Sequence, residues 1–201
     1  RLYLEQSENH QGGRAYDICR TQDNDVWFSI LNHAVFRISQ DSIRFYGRWQ
    51  GIHDHNVTAI AQRKNGEIWF GAWNVGLSRL NENGFCVFNA ASGLHNFIIT
   101  DLVVDQKDNL WIATDGEGIT KYDGIFFTHY TENEGLASNH VNAFYEDSFG
   151  NIWVMGKKGI NRIDSQGITD FAGKELLPDR DVVSMIQDSD GNYWIFTANG
   201  L

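Results

Sequence analysis

An all-β fold assembled from near-identical units is predicted by three observations on the 201-residue chain. Trp27, Trp69, Trp111, Trp153 and Trp194 recur at separations of 42, 42, 42 and 41 residues. Each follows a short apolar run and a turn of Asp, Asn, Lys, Ser and Gly, and in four units a glycine after it, Gly76, Gly118, Gly159 or Gly200, opens another run. No stretch holds an i, i+3, i+4 apolar pattern of helix length and glycine interrupts every unit, which disfavours a helical solenoid of similar period.

The elements of one unit read in order. "AYDIC" (15–19), "VTAIA" (57–61), "ITDLV" (99–103), "VNAFY" (141–145) and "VVSMI" (182–186) are strand-length and rich in β-branched and aromatic residues. Turns such as "KNG" (64–66) and "SDG" (189–191) supply residues that tolerate positive φ, so a hairpin leads into the tryptophan strand. A third strand such as "GLSRL" (76–80) or "GINRI" (159–163) follows. "SIRFY" (42–46), "GFCVF" (84–88), "IFFTHY" (125–130) or "GITDF" (167–171) is the fourth. Four antiparallel strands in about 42 residues match one blade of a β-propeller. The expected units are 15–56, 57–98, 99–140, 141–181 and a partial 182–201, with residues 1–14 holding the last strand of a preceding blade and a loop. The whole reads as a segment of a larger propeller of about seven blades.

Composition narrows the partners. With 42% hydrophobic and 13% aromatic residues the chain can bury a core. A net charge of −10 argues against nucleic acid, which needs a clustered positive field. No membrane span or leader is visible, and a start at Arg1 suggests a fragment or processed segment; the membrane is expected only through a parent chain. Cys19 and Cys86 form no metal-binding or redox motif and read as two buried free thiols.

The phrase "D-x-x-G-N-I-W" (147–153), the glycine-led "G-I-N-R-I-D" (159–164) and "E-G-L-A-S-N-H-V" (134–141) resemble the two-component regulator propeller repeat over nearly the whole chain. The first unit departs from it, with Asn24 at the turn glycine and Ala34 at the later one, so a distorted edge is expected there. The resemblance implies the extracytoplasmic, periplasmic sensor region of a bacterial membrane-bound regulator. Such regions often belong to hybrid histidine kinases that respond to carbohydrate, and a homodimer of the parent protein fits that setting.

Features present in every unit read as structure: the five aligned tryptophans as packing between blades, Asp105, Asp147 and Asp188 as turn formers, and Arg37, Arg79, Lys121 and Arg162 as salt-bridged or solvated. Function is expected where the repeat breaks, on the face where the loops between strands two and three alternate with those entering the next blade. Trp49, His53, His55, Trp73, Asn74, His95, Asp115, Glu117, His140, Lys157 and Lys158 fall there, mixing aromatic planes with hydrogen-bonding groups as a small-molecule or oligosaccharide ligand requires. "HDH" (53–55) supplies two imidazoles, short of the four ligands of a closed zinc site, so neither a metal nor a cofactor is assigned. Three classes stay open: a sensor; a lyase or hydrolase using His53, His55, His95 or His140 as base beside a metal, Asp115 or Glu117; and a protein-docking platform.

Overall fold

Turn chemistry decides where the chain reverses. In the computed structural model, which describes residues 15–40, 42–52, 56–88, 92–94, 98–171, 177 and 180–200, five hairpins each place one residue at positive φ: Asn24, Gly66, Asp108, Gly150 and Gly191. Around these turns the described residues form four sheets of four antiparallel strands and a final hairpin, in sequential strand order. Blade 1 is β1 (Ala15–Arg20), β2 (Val26–Ile30), β3 (Ala34–Ser39) and β4 (Ser42–Tyr46). Blade 2 is β5 (Val57–Gln62), β6 (Ile68–Ala72), β7 (Leu77–Asn81) and β8 (Gly84–Phe88). Blade 3 is β9 (Ile99–Val104), β10 (Leu110–Thr114), β11 (Ile119–Tyr122) and β12 (Phe127–Tyr130). Blade 4 is β13 (Val141–Glu146), β14 (Ile152–Gly156), β15 (Gly159–Asp164) and β16 (Gly167–Asp170), and β17 (Val182–Gln187) pairs with β18 (Tyr193–Thr197). The first strands touch one another in series, as in a propeller whose innermost strands surround an axis. The expected strand "RLYLE" lies outside the described residues.

The core is laid between blades, not within them. Trp27 packs with Val57, Ile60, Ile68 and Phe70 of blade 2. Trp69 packs with Ile99, Leu102, Leu110 and Ile112 of blade 3. Trp111 and Trp153 meet the same four strand positions one and two blades on, from Val141 to Val154 and from Val182 to Ile195. Each of these four rings is at most 7% exposed. Trp194 is 49% exposed, because the described chain places no blade against it. Ile52, Leu94 and Leu136, from the connections between blades, are buried in the same layers. Those connections are therefore only partly available to a ligand.

Polar contacts fix each indole. Trp111 Nε1–H donates to Asp105 Oδ2 at 2.9 Å, Trp153 to Asp147 at 2.8 Å and Trp194 to Asp188 at 3.0 Å. In all three, the other carboxylate oxygen accepts two backbone N–H bonds from its own turn. Across each ring's face lies the strand-three cation, Arg37, Arg79, Lys121 or Arg162, 5.4–5.9 Å from the centroid of Trp27, Trp69, Trp111 or Trp153. Arg37, Arg79 and Arg162 are also salt-bridged, to Asp25, Glu67 and Asp164.

Further bonds join neighbouring first strands. Thr58 and Thr100 hydroxyls donate to the carbonyls of Ile99 and Val141, and the Asn142 amide to that of Val182. Asp17 and Asp101, each at a bulge, accept the N–H of Ile60 and Phe144 in the following blade. Burial pushes the Asp101 carboxyl from its ordinary 3.8 up to about 7 against the pull of its two backbone donors, and the nearby Asp17 charge adds to the rise.

Between β2 and β3 the expected distortion of blade 1 does not occur. Pairing of β2 with β3 is continuous from Val26–Ile38 to Ile30–Ala34. Asn24 and Asn32 take φ of 65° and 60°, so asparagine fills the left-handed positions that glycine holds elsewhere.

Trp111→Ala should cost about 3–5 kcal/mol as a buried aromatic truncation, whereas Trp194→Ala should cost under about 1.5 kcal/mol because half its area is already in water. Urea denaturation measures both, and equal losses would contradict packing between blades. Asp101 yields a pH prediction. A carboxyl raised in the fold contributes stability that is full below its unfolded value and is lost as pH rises through its folded value. An Asp101→Asn variant should therefore gain in Tm relative to the parent between pH 5 and 8, and a difference independent of pH would refute the assignment.

Candidate functional site

Two kinds of loop share one rim because the backbone ties them there. Trp73 N–H donates to Asn56 O, Asp115 N–H to Ile98 O and Lys157 N–H to His140 O, so each loop between strands two and three is bonded to the entry of its own blade. Gly116 and Gly118 N–H groups both donate to Asn139 O, joining blade 3 to the entry of blade 4. Glycine is required where the backbones come together: a Cβ on Gly156 would lie 2.5 Å from the His140 carbonyl oxygen.

A shallow pocket of about 410 Å³ opens on this rim across blades 2, 3 and 4. Trp73, Asn74, Asp115 and Lys157, all expected from the sequence, line it. Trp73 is 39% exposed and braced edge-on by Tyr16, with ring centroids 5.7 Å apart, so it offers an apolar plane beside charged groups. His140 joins the rim through its Nδ1, 2.5 Å from Asp115 Oδ1, and Lys157 Nζ lies 3.6 Å from the same oxygen. The imidazole hydrogen bond, with help from the ammonium, holds the Asp115 carboxyl below the usual carboxylate range.

Other expected residues are not gathered in. Lys158 is ion-paired with Glu132 at 2.8 Å, and Glu117 is exposed beyond the pocket lining. Trp49 stands 95% exposed on the 3-10 turn Arg48–Gln50, apart from the pocket. His53, His55 and His95 lie outside the described residues. Ile98, Thr100 and Asn142 complete the lining and were not anticipated. They flank the start of a first strand, and that placement next to the rim is the signal that marks them. Among the described residues, no group of three or more His, Cys, Asp or Glu is placed to hold a metal, and no helix is long and apolar enough to cross a membrane.

Comparison with known proteins follows the repeat. The two component regulator propeller model matches residues 51–74, 92–116, 135–157 and 176–199. No curated protein matches the chain. The extracellular domain of BT3049 from B. thetaiotaomicron, assigned as a hybrid two component system, superposes with a TM-score of 0.80 at 22% identity over 91% of this chain and 26% of its own. The extracellular domain of BT4673 from the same organism gives 0.74 at 18% over 92% and 29%. Virginiamycin B lyase from Staphylococcus aureus gives 0.71 at 19% over 96% and 69%. The chain thus spans about a quarter of the length of the first two, and at these identities the likeness establishes the propeller architecture. With four matched repeats set on four successive blade junctions, the chain belongs to the two component regulator propeller family.

Proposed function

We propose that this chain is a ligand-sensing propeller module, part of the extracytoplasmic, periplasmic region of a bacterial two-component-type signalling protein, and that it binds a carbohydrate or similar small ligand on the rim. The observation that carries the reading is the pocket, where Trp73 stands beside Asn74, Asp115 and Lys157 at a junction of three blades. A sugar ring has an apolar face that stacks on an indole and hydroxyls that need paired donors and acceptors. The pocket offers both kinds of contact. The family and the extracellular neighbours support the sensor setting. Binding that spans three blades favours one relative placement of those blades, which is what a signal without covalent chemistry requires.

A second reading rests on one feature. His140 held by Asp115 has the geometry of an oriented general base, and a lyase shares the fold. Incubation of a bound oligosaccharide with the protein, followed by mass spectrometry, separates the two. An unchanged ligand supports the sensor, and a product formed by the parent but not by His140→Ala supports the lyase.

For the sensor, a calorimetric screen of neutral and acidic oligosaccharides should find a binder whose affinity falls about tenfold, or about 1.4 kcal/mol, in Trp73→Ala. The variant's Tm should stay close to the parent's, since Trp73 is a half-exposed rim residue. Unchanged affinity in Trp73→Ala would remove this pocket as the site.

A further inference from the structure

The opposite rim contains a larger cleft, about 580 Å³, between blades 1 and 2. The repeat itself indicates what belongs in it. At the junction of blades 2 and 3 the corresponding space is filled by Arg63. Its Nε and Nη2 donate to Asp108 O at 3.0 and 2.8 Å, its Nη2 lies 3.2 Å from Asp108 Oδ2, and its guanidinium sits 5.4 Å over the Tyr122 ring. Gly124 forms the wall, where even a Cβ would come within 3.1 Å of the guanidinium.

One period of 42 residues earlier, the positions of Arg63, Asp108, Tyr122 and Gly124 are Thr21, Gly66, Leu80 and Glu82, and all four line the open cleft. The seat remains and its occupant is cut back from arginine to threonine. Leu80 keeps an apolar platform, and Glu82 brings a carboxylate to the wall that was glycine. Asp25 and Glu67 are neutralised by Arg37 and Arg79, at 2.5 and 2.9 Å. Asp23 and Glu82 have no ion pair among the described residues, so the cleft keeps a net negative field. No group of three acids there is placed to hold a metal ion, and a space that an arginine side chain fills at the next junction suits a cation on an aliphatic stem.

We propose that this cleft binds a small organic cation of the alkylguanidinium class, its charged head between Glu82 and Asp23 and its stem on Leu80. The site is on the face opposite the candidate sugar pocket and is independent of the sensor reading.

Isothermal titration with butylguanidinium and with its uncharged isostere butylurea tests this on the whole chain. Butylguanidinium should bind with an affinity that falls as salt rises, and butylurea should give no heat. Glu82→Gln should weaken binding about tenfold by removing a charge-assisted hydrogen bond. Thr21→Arg, which refills the seat from within as Arg63 does in the next blade, should abolish binding and raise Tm. Equal binding of the two probes would overturn the proposal, as would full affinity in a folded Thr21→Arg variant. Glu82→Gln decides the matter if the arginine variant does not fold, since its side chain is at the surface and full affinity there equally removes the site.

Discussion

Every blade depends on an indole that it lends to its neighbour. A four-stranded sheet of this size cannot cover both of its faces, so the large ring on its second strand is buried against the first two strands of the following blade. That solution creates a polar problem, because an indole N–H removed from water costs about 1–3 kcal/mol if it finds no acceptor. The acid at the start of the hairpin answers it in blades 3 and 4 and in the last hairpin, and the same carboxylate closes the turn. One side chain thereby fixes the hairpin, the ring orientation and the spacing between blades.

Blades 1 and 2 are built differently. Where Asp105, Asp147 and Asp188 open the later turns, Thr21 and Arg63 open these, and Trp69 Nε1 has no acceptor. The acid has moved to the end of the turn: Asp25 and Glu67 occupy the positions that are Asn109, Asn151 and Asn192 later in the chain. There it pairs with the strand-three arginine that lies over the ring. Each turn keeps one carboxylate for its tryptophan, used directly on the N–H or indirectly through the cation. Arg63, freed from the turn's needs, reaches into blade 3 and bonds Asp108, adding a link at the junction where the indole is unsatisfied.

The period, the strands and the turns were legible because they are local: apolar runs, positive-φ residues and one aromatic per unit all fall within a few positions of one another. Contacts between blades were not, since Thr100 with Val141 or Asp101 with Phe144 are set by three-dimensional stacking some 40 residues away. Ile52, Leu94 and Leu136 show the cost of reading a whole loop as functional. They follow Gly51, Gly93 and Gly135 at one repeating position, and the rule that identified the tryptophans as structural identifies them too. At the site, Trp73, Asn74, Asp115 and Lys157 were legible as departures from the repeat. Thr100 and Asn142 were hidden, because as strand residues they were read only for their part in the sheet.

Those last two residues connect the site to the fold. The Thr100 hydroxyl and the Asn142 amide line the pocket while also bonding the backbone of the next blade. A ligand seated between Trp73 and Lys157 therefore touches the side chains that hold blades 3 and 4 and the final hairpin in sequence. It cannot draw a hydrogen bond from Thr100 without competing with the Val141 carbonyl, nor from the Asn142 amide without competing with the Val182 carbonyl or the Asp181 carboxylate. Under the sensor reading proposed above, binding energy at the rim is exchanged directly against the geometry between blades.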